Sequence, residues 1–231
     1  FVGADALDGE RVTLRGDQAR QIATVLRLAR GARVVAVHEG EELETVLDAV
    51  TPSEVTGHVT ERRRSQAELP ILVTLALPLL RGDHSEEVIE AVTQLGVSRI
   101  QPFTSERSVA RELSAAKRSR WERIAQEAAE TAKRGRVPAI GDVLAWSDLF
   151  GSLGRNVVVA WEEERETPLR AGLRADGDVS LVIGPEGGLT ANEIAWARQR
   201  GATVVSLGPR TLRSETAAVV AVAQLLALRG L

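Results

Sequence analysis

The 231-residue chain is 44% hydrophobic, enough for a core in one or two domains, and no apolar run nears the roughly 18 residues that cross a bilayer. It has no cysteine, which excludes disulfides, thiolate nucleophiles and cysteine-ligated zinc, and its three histidines (His38, His58, His84) are too scattered for a histidine-rich metal site. A formal charge of −3 excludes a protein that coats nucleic acid by net charge alone.

Residues 1–68 read as mostly β. Alternating or β-branched runs at 11–14, 33–38, 44–50 and 55–60 predict strands, with turn residues at Gly31, Gly40 and Pro52-Ser53. One helix interrupts them. Asp17 would cap it, Ile22, Val25, Leu26 and Leu28 would supply its apolar positions, and Gly31 follows its end. Short strands with one helix suggest a small β-barrel. The polar stretch 61–68, ending before Pro70, reads as a linker, so the expected domains are 1–68 and 69–231.

From residue 70 onward strands and helices alternate. The run 71–77 is too uniformly apolar to have a wet face. A helix over 85–95 follows, with Asp83 and Glu86 in capping-box spacing and Gly96 after its end. A strand at 99–103 precedes a long helix over 114–132. Buried strands are predicted at 156–160 and 180–183, then a helix over 190–200 with a second capping box from Thr190 to Glu193. A strand at 203–207 and a helix over 215–228 complete the series. This is the grammar of an α/β fold, a parallel sheet covered on both faces.

Between Arg107 and Arg136 nine basic residues stand against four acidic ones. The segment is a candidate phosphate-contact surface, with a solvated helix face as the alternative. The last helix, with Ala217, Ala218, Val219, Val220, Ala221, Val222, Ala223, Leu225, Leu226 and Leu228, has almost no polar face. A helix of that kind is buried all round, and a homodimer interface is the expected place.

Two strand ends run into loops suited to a ligand. The first is Ile183-Gly184-Pro185-Glu186-Gly187-Gly188, leading to the capped helix. Glycine lets the backbone approach a ligand closely, proline stiffens the turn, and the carboxyl end of an open sheet is where such folds bind ligands. Alone it reads equally as a plain turn, and it lacks both the GxGxxG spacing and the P-loop lysine. The second loop runs from Leu207 and Gly208 through Arg210, Leu212, Arg213, Ser214, Glu215 and Thr216 to Ala217. Arg213 and Glu215 sit at its helix start, where the Ser214 and Thr216 hydroxyls are available to the free amides.

Together, GPEGGLT with its following glutamate, a strand ending Leu207-Gly208, and LRSETAA before an apolar helix closely resemble the SPOUT class of methyltransferases. Within that class the chain resembles the family of ribosomal RNA small subunit methyltransferase E. Residues 77–83, 95–100 and 104–108 are similar to the opening of its catalytic domain, and Val25-Leu26-Arg27-Leu28 resembles a signature of its N-terminal domain. The resemblance covers essentially the whole chain. Departures stand at Arg20 and Gln21, where members commonly carry a histidine pair, at Glu90 and Gln94, and at Thr131-Ala132.

The resemblance implies an N-terminal PUA-like β-barrel followed by a SPOUT α/β domain with a C-terminal trefoil knot. It implies methylation of uridine N3 in the decoding region of 16S ribosomal RNA, with S-adenosylmethionine as methyl donor. Carried over by motif, the cofactor would be held by Ile183, Gly184, Pro185, Glu186, Gly187, Gly188, Leu207, Gly208, Leu212, Thr216 and Ala217, with a weaker third match from Ala160 to Glu162. Arg213 would stabilise charge on the uracil oxygens and Glu215, or else Glu186, would act as the base. N3 lies on the pairing edge, so the target base must leave its stack. Candidate RNA contacts are Arg27, Arg81, Arg107, Arg134 and Arg136; with three Phe, four Trp and no Tyr, no broad stacking platform is expected.

Expected partners are 16S ribosomal RNA or the small ribosomal subunit, and a second copy of the chain; neither membrane nor metal is expected. The expected location is cytoplasmic: no signal segment opens the sequence, although with no methionine even at position 1 the native start is expected to lie upstream. Two rival readings are an RNA-binding or ribosome-assembly factor that keeps the fold without chemistry, and a nucleotide-dependent oxidoreductase. The latter should carry a glycine fingerprint where Leu77-Pro78-Leu79 stands.

Overall fold

In the computed structural model, which describes residues 1–174 and 176–231, the chain forms two units. One comprises Phe1–Glu68 with Lys133–Arg136, the other Leu69–Ala132 with Val137–Leu231.

In the first unit, β1 (Leu7–Asp8), β2 (Arg11–Arg15), β3 (Arg33–His38), β4 (Glu41–Val50) and β5 (Glu54–Arg64) form an antiparallel sheet in the order β1-β2-β5-β4-β3. It stands where the sequence suggests a small barrel. Strand periodicity turns alternate residues inward, so Leu43, Thr45 and Leu47 of β4 and Val55, Gly57 and Val59 of β5 are buried. Gly57 is required there, because a Cβ would lie 2.6 Å from the Val46 carbonyl oxygen. The expected linker is partly strand instead. Arg63 pairs with Glu42 at 2.8 Å and Arg62 with Glu41 at 3.8 Å, and these cross-strand charges carry the ladder to Arg64.

The helix of this unit also departs from expectation. α1 (Gly16–Arg20) starts after Arg15, and Asp17 lies inside its first turn rather than capping it. Residues Gln21–Val25 then wind as a π-helix, which leaves Val25 and Leu26 71% and 54% exposed instead of on an apolar face.

The second unit carries a parallel sheet in the order β12-β10-β11-β6-β7-β8, with β9 also on β7. Its strands are β6 (Val73–Pro78), β7 (Arg99–Thr104), β8 (Ala139–Ile140), β9 (Leu144–Ala145), β10 (Val157–Ala160), β11 (Val179–Ile183) and β12 (Thr203–Val205). The helices are α2 (His84–Gln94), α3 (Ala115–Thr131), α4 (Trp146–Ser152), α5 (Leu169–Gly172), α6 (Ala191–Gln199) and α7 (Ser214–Arg229). Both faces are covered. Val73, Leu75 and Leu77 face one cluster with Ile89, Trp121 and Val222, whereas Ala76 faces another with Phe103, Trp146 and Ile194. The order places β11 between β10 and β6, so the chain works outward from β6 and later returns to its other side. A reversal of strand order opens a crevice at the strands' carboxyl ends.

Local signals settle some helix ends and not others. Thr190 has extended backbone and makes both arms of a capping box with Glu193. Asp83 does not: its φ of −100° and ψ of 5° are not those of an extended cap residue, its side chain makes no cap bond, and Glu86 pairs with Arg120 at 2.6 Å. α7 buries Ala218, Ala221, Val222 and Leu225, while Thr216, Ala223, Ala227 and Leu228 stay exposed, so burial all round is not reached within one subunit. β8, β9, α4 and α5 are too short to leave a periodic signal. No helix of the described residues is long and apolar enough to cross a membrane.

Candidate functional site

Four strand ends meet at one place in the second unit. The loops after β6, β10, β11 and β12 line a cavity of about 480 Å³, a size suited to a small organic ligand. β6 contributes Arg81 and His84, β10 contributes Ala160, Trp161 and Glu162, and β11 contributes Ile183 through Gly188 apart from Gly187. The segment after β12 supplies Ser206, Leu207, Gly208 and the run from Arg210 to Glu215, with Ala217 beyond it.

The loop after β11 is a tight turn closed by the Gly188 amide donating to the Pro185 carbonyl at 2.8 Å. Gly188 has φ +74°, and a Cβ on it would strike the Glu162 carboxylate. Glycine is therefore demanded twice, by the backbone angle and by the neighbour. Trp161 Nε1 donates to the Leu189 carbonyl at 3.1 Å, fixing the indole beside this turn. The Glu186 carboxylate accepts the Arg81 amide at 2.9 Å and so bridges to the loop after β6.

The loop after β12 is held from both ends. Ser206 Oγ accepts the Gly208 amide at 3.3 Å, and Gln224 Nε2 of α7 donates to the Leu207 carbonyl at 3.2 Å. The Ser214 hydroxyl was expected to serve its own helix amides but donates to the Gly184 carbonyl at 2.8 Å. That bond joins the two loops. Arg213 is 83% exposed and its guanidinium lies 4.0 Å from the Glu215 carboxylate, which is 17% exposed.

The cavity carries Arg81, His84, Arg210 and Arg213 alongside Glu162, Glu186 and Glu215. Such mixed charge suits a ligand bearing both signs. Just beyond Glu162, the Glu164 carboxylate accepts the Glu166 and Thr167 amides at 3.0 and 3.1 Å and pairs with Arg198 at 3.2 Å. The two amide bonds, helped by Arg198, hold the Glu164 carboxyl below the usual carboxylate range and pin the turn after β10. Among the described residues, no group of three His, Asp or Glu side chains is placed to hold a metal ion.

Most of the proposed cofactor positions line this cavity, but two do not. Gly187 turns away: its carbonyl accepts a hydrogen bond from Arg107 Nη1 at 3.1 Å, and a Cβ would lie 3.0 Å from the Arg107 Cβ. Its lack of a side chain serves packing rather than a ligand. Thr216 lies exposed on α7 outside the lining. Among the arginines proposed for RNA, Arg81 lines the cavity, and Arg27, Arg107 and Arg136 are exposed. Arg134 is a correction. It is 2% exposed and makes a bidentate pair with Glu68 at 3.1 and 2.8 Å, so its charge is neutralised inside the first unit and unavailable to phosphate.

Three further cations of the basic segment are engaged within the second unit. Lys117 donates to the Gly82 carbonyl, Arg118 pairs with Glu122 and Asp142, and Arg120 with Glu86. Trp161 falls within the weaker match at 160–162 and Arg210 within the second loop, whereas His84 and Ser206 carry no local signal.

Comparison with known proteins fits this arrangement. The profile of a family described as the RNA methyltransferase domain matches residues 67–226. Ribosomal RNA small subunit methyltransferase E of Bacillus subtilis is 32% identical over 222 residues, covering 90% of this chain and 87% of its own. The Synechocystis protein of the same name is 33% identical over 224 residues, covering 94% and 73%. A crystal structure of the Neisseria gonorrhoeae protein of that name, bound to S-adenosyl methionine, superposes with a TM-score of 0.85 at 27% identity, covering 96% of this chain and 94% of that one.

Proposed function

Because the chain belongs to the RNA methyltransferase family that includes ribosomal RNA small subunit methyltransferase E, we propose that it methylates N3 of a uridine in 16S ribosomal RNA, in the decoding region of the small subunit. The observation that carries this reading is the convergence of the 183–188 and 206–217 loops on one cavity, joined by the Ser214–Gly184 hydrogen bond.

The residues present fit S-adenosylmethionine as methyl donor. The cavity has the volume for it, and Gly208, at φ +129°, has nothing within 4 Å of where a Cβ would be, so the loop after β12 leaves that side open to a ligand. When bound, the donor supplies an electron-poor methyl group on a sulfonium. Ile183, Gly184, Leu207, Gly208, Leu212 and Ala217 would hold its adenosine, largely through backbone groups. Glu162 and Glu215 offset a positive ligand charge, and Arg81 and Arg210 a carboxylate.

Uracil N3 carries a proton that must leave as the new N–C bond forms. Glu215 takes it, and Arg213 stabilises the negative charge that spreads to the uracil oxygens. Their 4.0 Å separation lets one base contact both groups. Glu186, engaged with the Arg81 amide, is the poorer candidate for the base. Holding two reactants in line supplies much of the remaining acceleration.

Residues 1–68 act as a PUA-like RNA-binding domain and 69–231 as the catalytic domain, with Arg27, Arg81, Arg107 and Arg136 contacting RNA. The C-terminal part of the second unit is threaded as a trefoil knot, as the resemblance to the SPOUT class implies. The exposed apolar face of α7 seats a second copy of the chain, and the enzyme works in the cytoplasm. The deciding experiment is transfer of labelled methyl groups to small subunits lacking the modification, followed by mapping of the modified base. Label at uracil N3 supports the proposal; label elsewhere or none overturns it.

A further inference from the structure

Arg27 has φ +52°, a left-handed conformation that only three non-glycine residues adopt among those described. It ends the π-helical turn Gln21–Val25, closed by the Leu26 amide to the Gln21 carbonyl at 2.9 Å and the Leu28 amide to the Ile22 carbonyl at 3.0 Å. In an α-helix Val25 and Leu26, three and four residues after Ile22, would share its buried face. The wider winding carries them off it. Ile22 and Leu28 pack into the core of the sheet, while Val25 and Leu26 are the most exposed large apolar side chains of the first unit. Wide turns and left-handed non-glycine residues cost stability and gather at functional sites.

The charge of this segment is mostly positive: residues 15–33 carry five arginines and one acid, the exposed Asp17. Arg15 and Arg33, at the ends of the segment, pair with Glu54 and Glu44. Arg20, Arg27 and Arg30 between them are exposed and have no carboxylate partner among the described residues.

We propose that the Val25-Leu26 tip is a wedge for opened RNA, its two aliphatic side chains lodging against the faces of unpaired bases while Arg20, Arg27 and Arg30 take the flanking phosphates. The inference rests on reading the chain as an RNA methyltransferase. Apolar side chains inserted beside unstacked bases, ringed by cations, match nucleic acid that has been opened. In the second unit Phe103, Trp146, Phe150 and Trp196 pack on one another, Trp121 is 1% exposed and Trp161 lines the cavity, while the first unit holds one aromatic residue, the half-buried Phe1.

The test titrates the full chain with unmodified 16S ribosomal RNA made by transcription, at several salt concentrations. A Val25→Ser/Leu26→Ser variant should weaken binding about tenfold, with the salt slope and S-adenosylmethionine affinity unchanged. An Arg20→Ala/Arg27→Ala/Arg30→Ala variant should flatten the slope of log affinity against log salt by about 2. Arg27→Gly should raise the Tm, since glycine accepts positive φ, yet bind RNA more weakly. A merely structural tip would gain stability and bind as before. Unchanged RNA affinity in the serine variant overturns the wedge, as does loss of self-association or of binding to anionic phospholipid vesicles in its place. If the wild type transfers no methyl group while RNA affinity still depends on the tip, the methylation reading fails and the wedge stands.

Discussion

The Ser214 hydroxyl donates to the Gly184 carbonyl at 2.8 Å, tying the first residue of α7 to the loop that leaves β11, 30 residues earlier. Ser214 is 7% exposed, so its loss is not made good by water. Replacing it with alanine removes about 1 kcal/mol of net hydrogen bonding and leaves a carbonyl unserved. Ser214→Ala should weaken S-adenosylmethionine binding about fivefold by calorimetric titration, and an unchanged affinity would mean that the loops hold their places without it.

Arg213 is a different case, because its side chain is 83% exposed and supports little around it. Arg213→Ala should leave the Tm and the S-adenosylmethionine Kd within twofold of wild type. Turnover should fall at least about a hundredfold, as when a charge-stabilising donor is removed from a transition state. Surviving turnover would remove Arg213 from the mechanism.

Gly188 combines a φ of +74° with a carboxylate where its Cβ would stand. Gly188→Ala should lower the Tm and abolish measurable donor binding. Adding Glu162→Ala relieves the collision but not the left-handed strain, which remains at about 1 kcal/mol. Stability should therefore return in part in the double variant. If it does not, the contact with Glu162 is not the source of the damage.

Glu164 gives the turn after β10 a pH dependence. Its carboxyl is held below the ordinary value of 4.5 by the Glu166 and Thr167 amides and by Arg198. A lowered folded value means that its stabilisation is complete above about pH 4.5 and is lost as pH falls through that lowered value. The Tm difference between wild type and Glu164→Gln should be constant from about pH 8 to pH 5 and shrink in more acidic buffer. A difference that widens on acidification would contradict the assignment.

The outward face of α7 ends in Leu228, 48% exposed, near Leu231 at 45%. If a second copy seats there, Leu228→Glu should convert a dimer to a monomer in sedimentation experiments without loss of folding. A monomeric wild type would refute the assembly.

Much of the site was legible beforehand because its loops are locally encoded. Gly184, Gly188 and Gly208 mark close backbone approaches, and Thr190 with Glu193 three residues on completes a capping box with its own neighbours. Where a residue's partner lies far along the chain, neighbouring residues do not reveal it. Arg134 has the sequence context of a phosphate contact, but it pairs with Glu68, 66 residues earlier. Gly187 looked like a ligand-facing glycine, but Arg107, 80 residues earlier, occupies that side. His84 reaches the cavity only because β6 lies beside β11.

The sequence alone determined the longer strands and helices, the loops that carry glycine and arginine, and the family, since each is written in the periodicity and motifs of neighbouring residues. The tertiary structure decided which charges are free, which glycines face a ligand and which apolar side chains are left in water. These depend on what segment arrives from a distant part of the chain, and on turns such as Gln21–Val25, where a small change in winding reverses the face that a side chain shows.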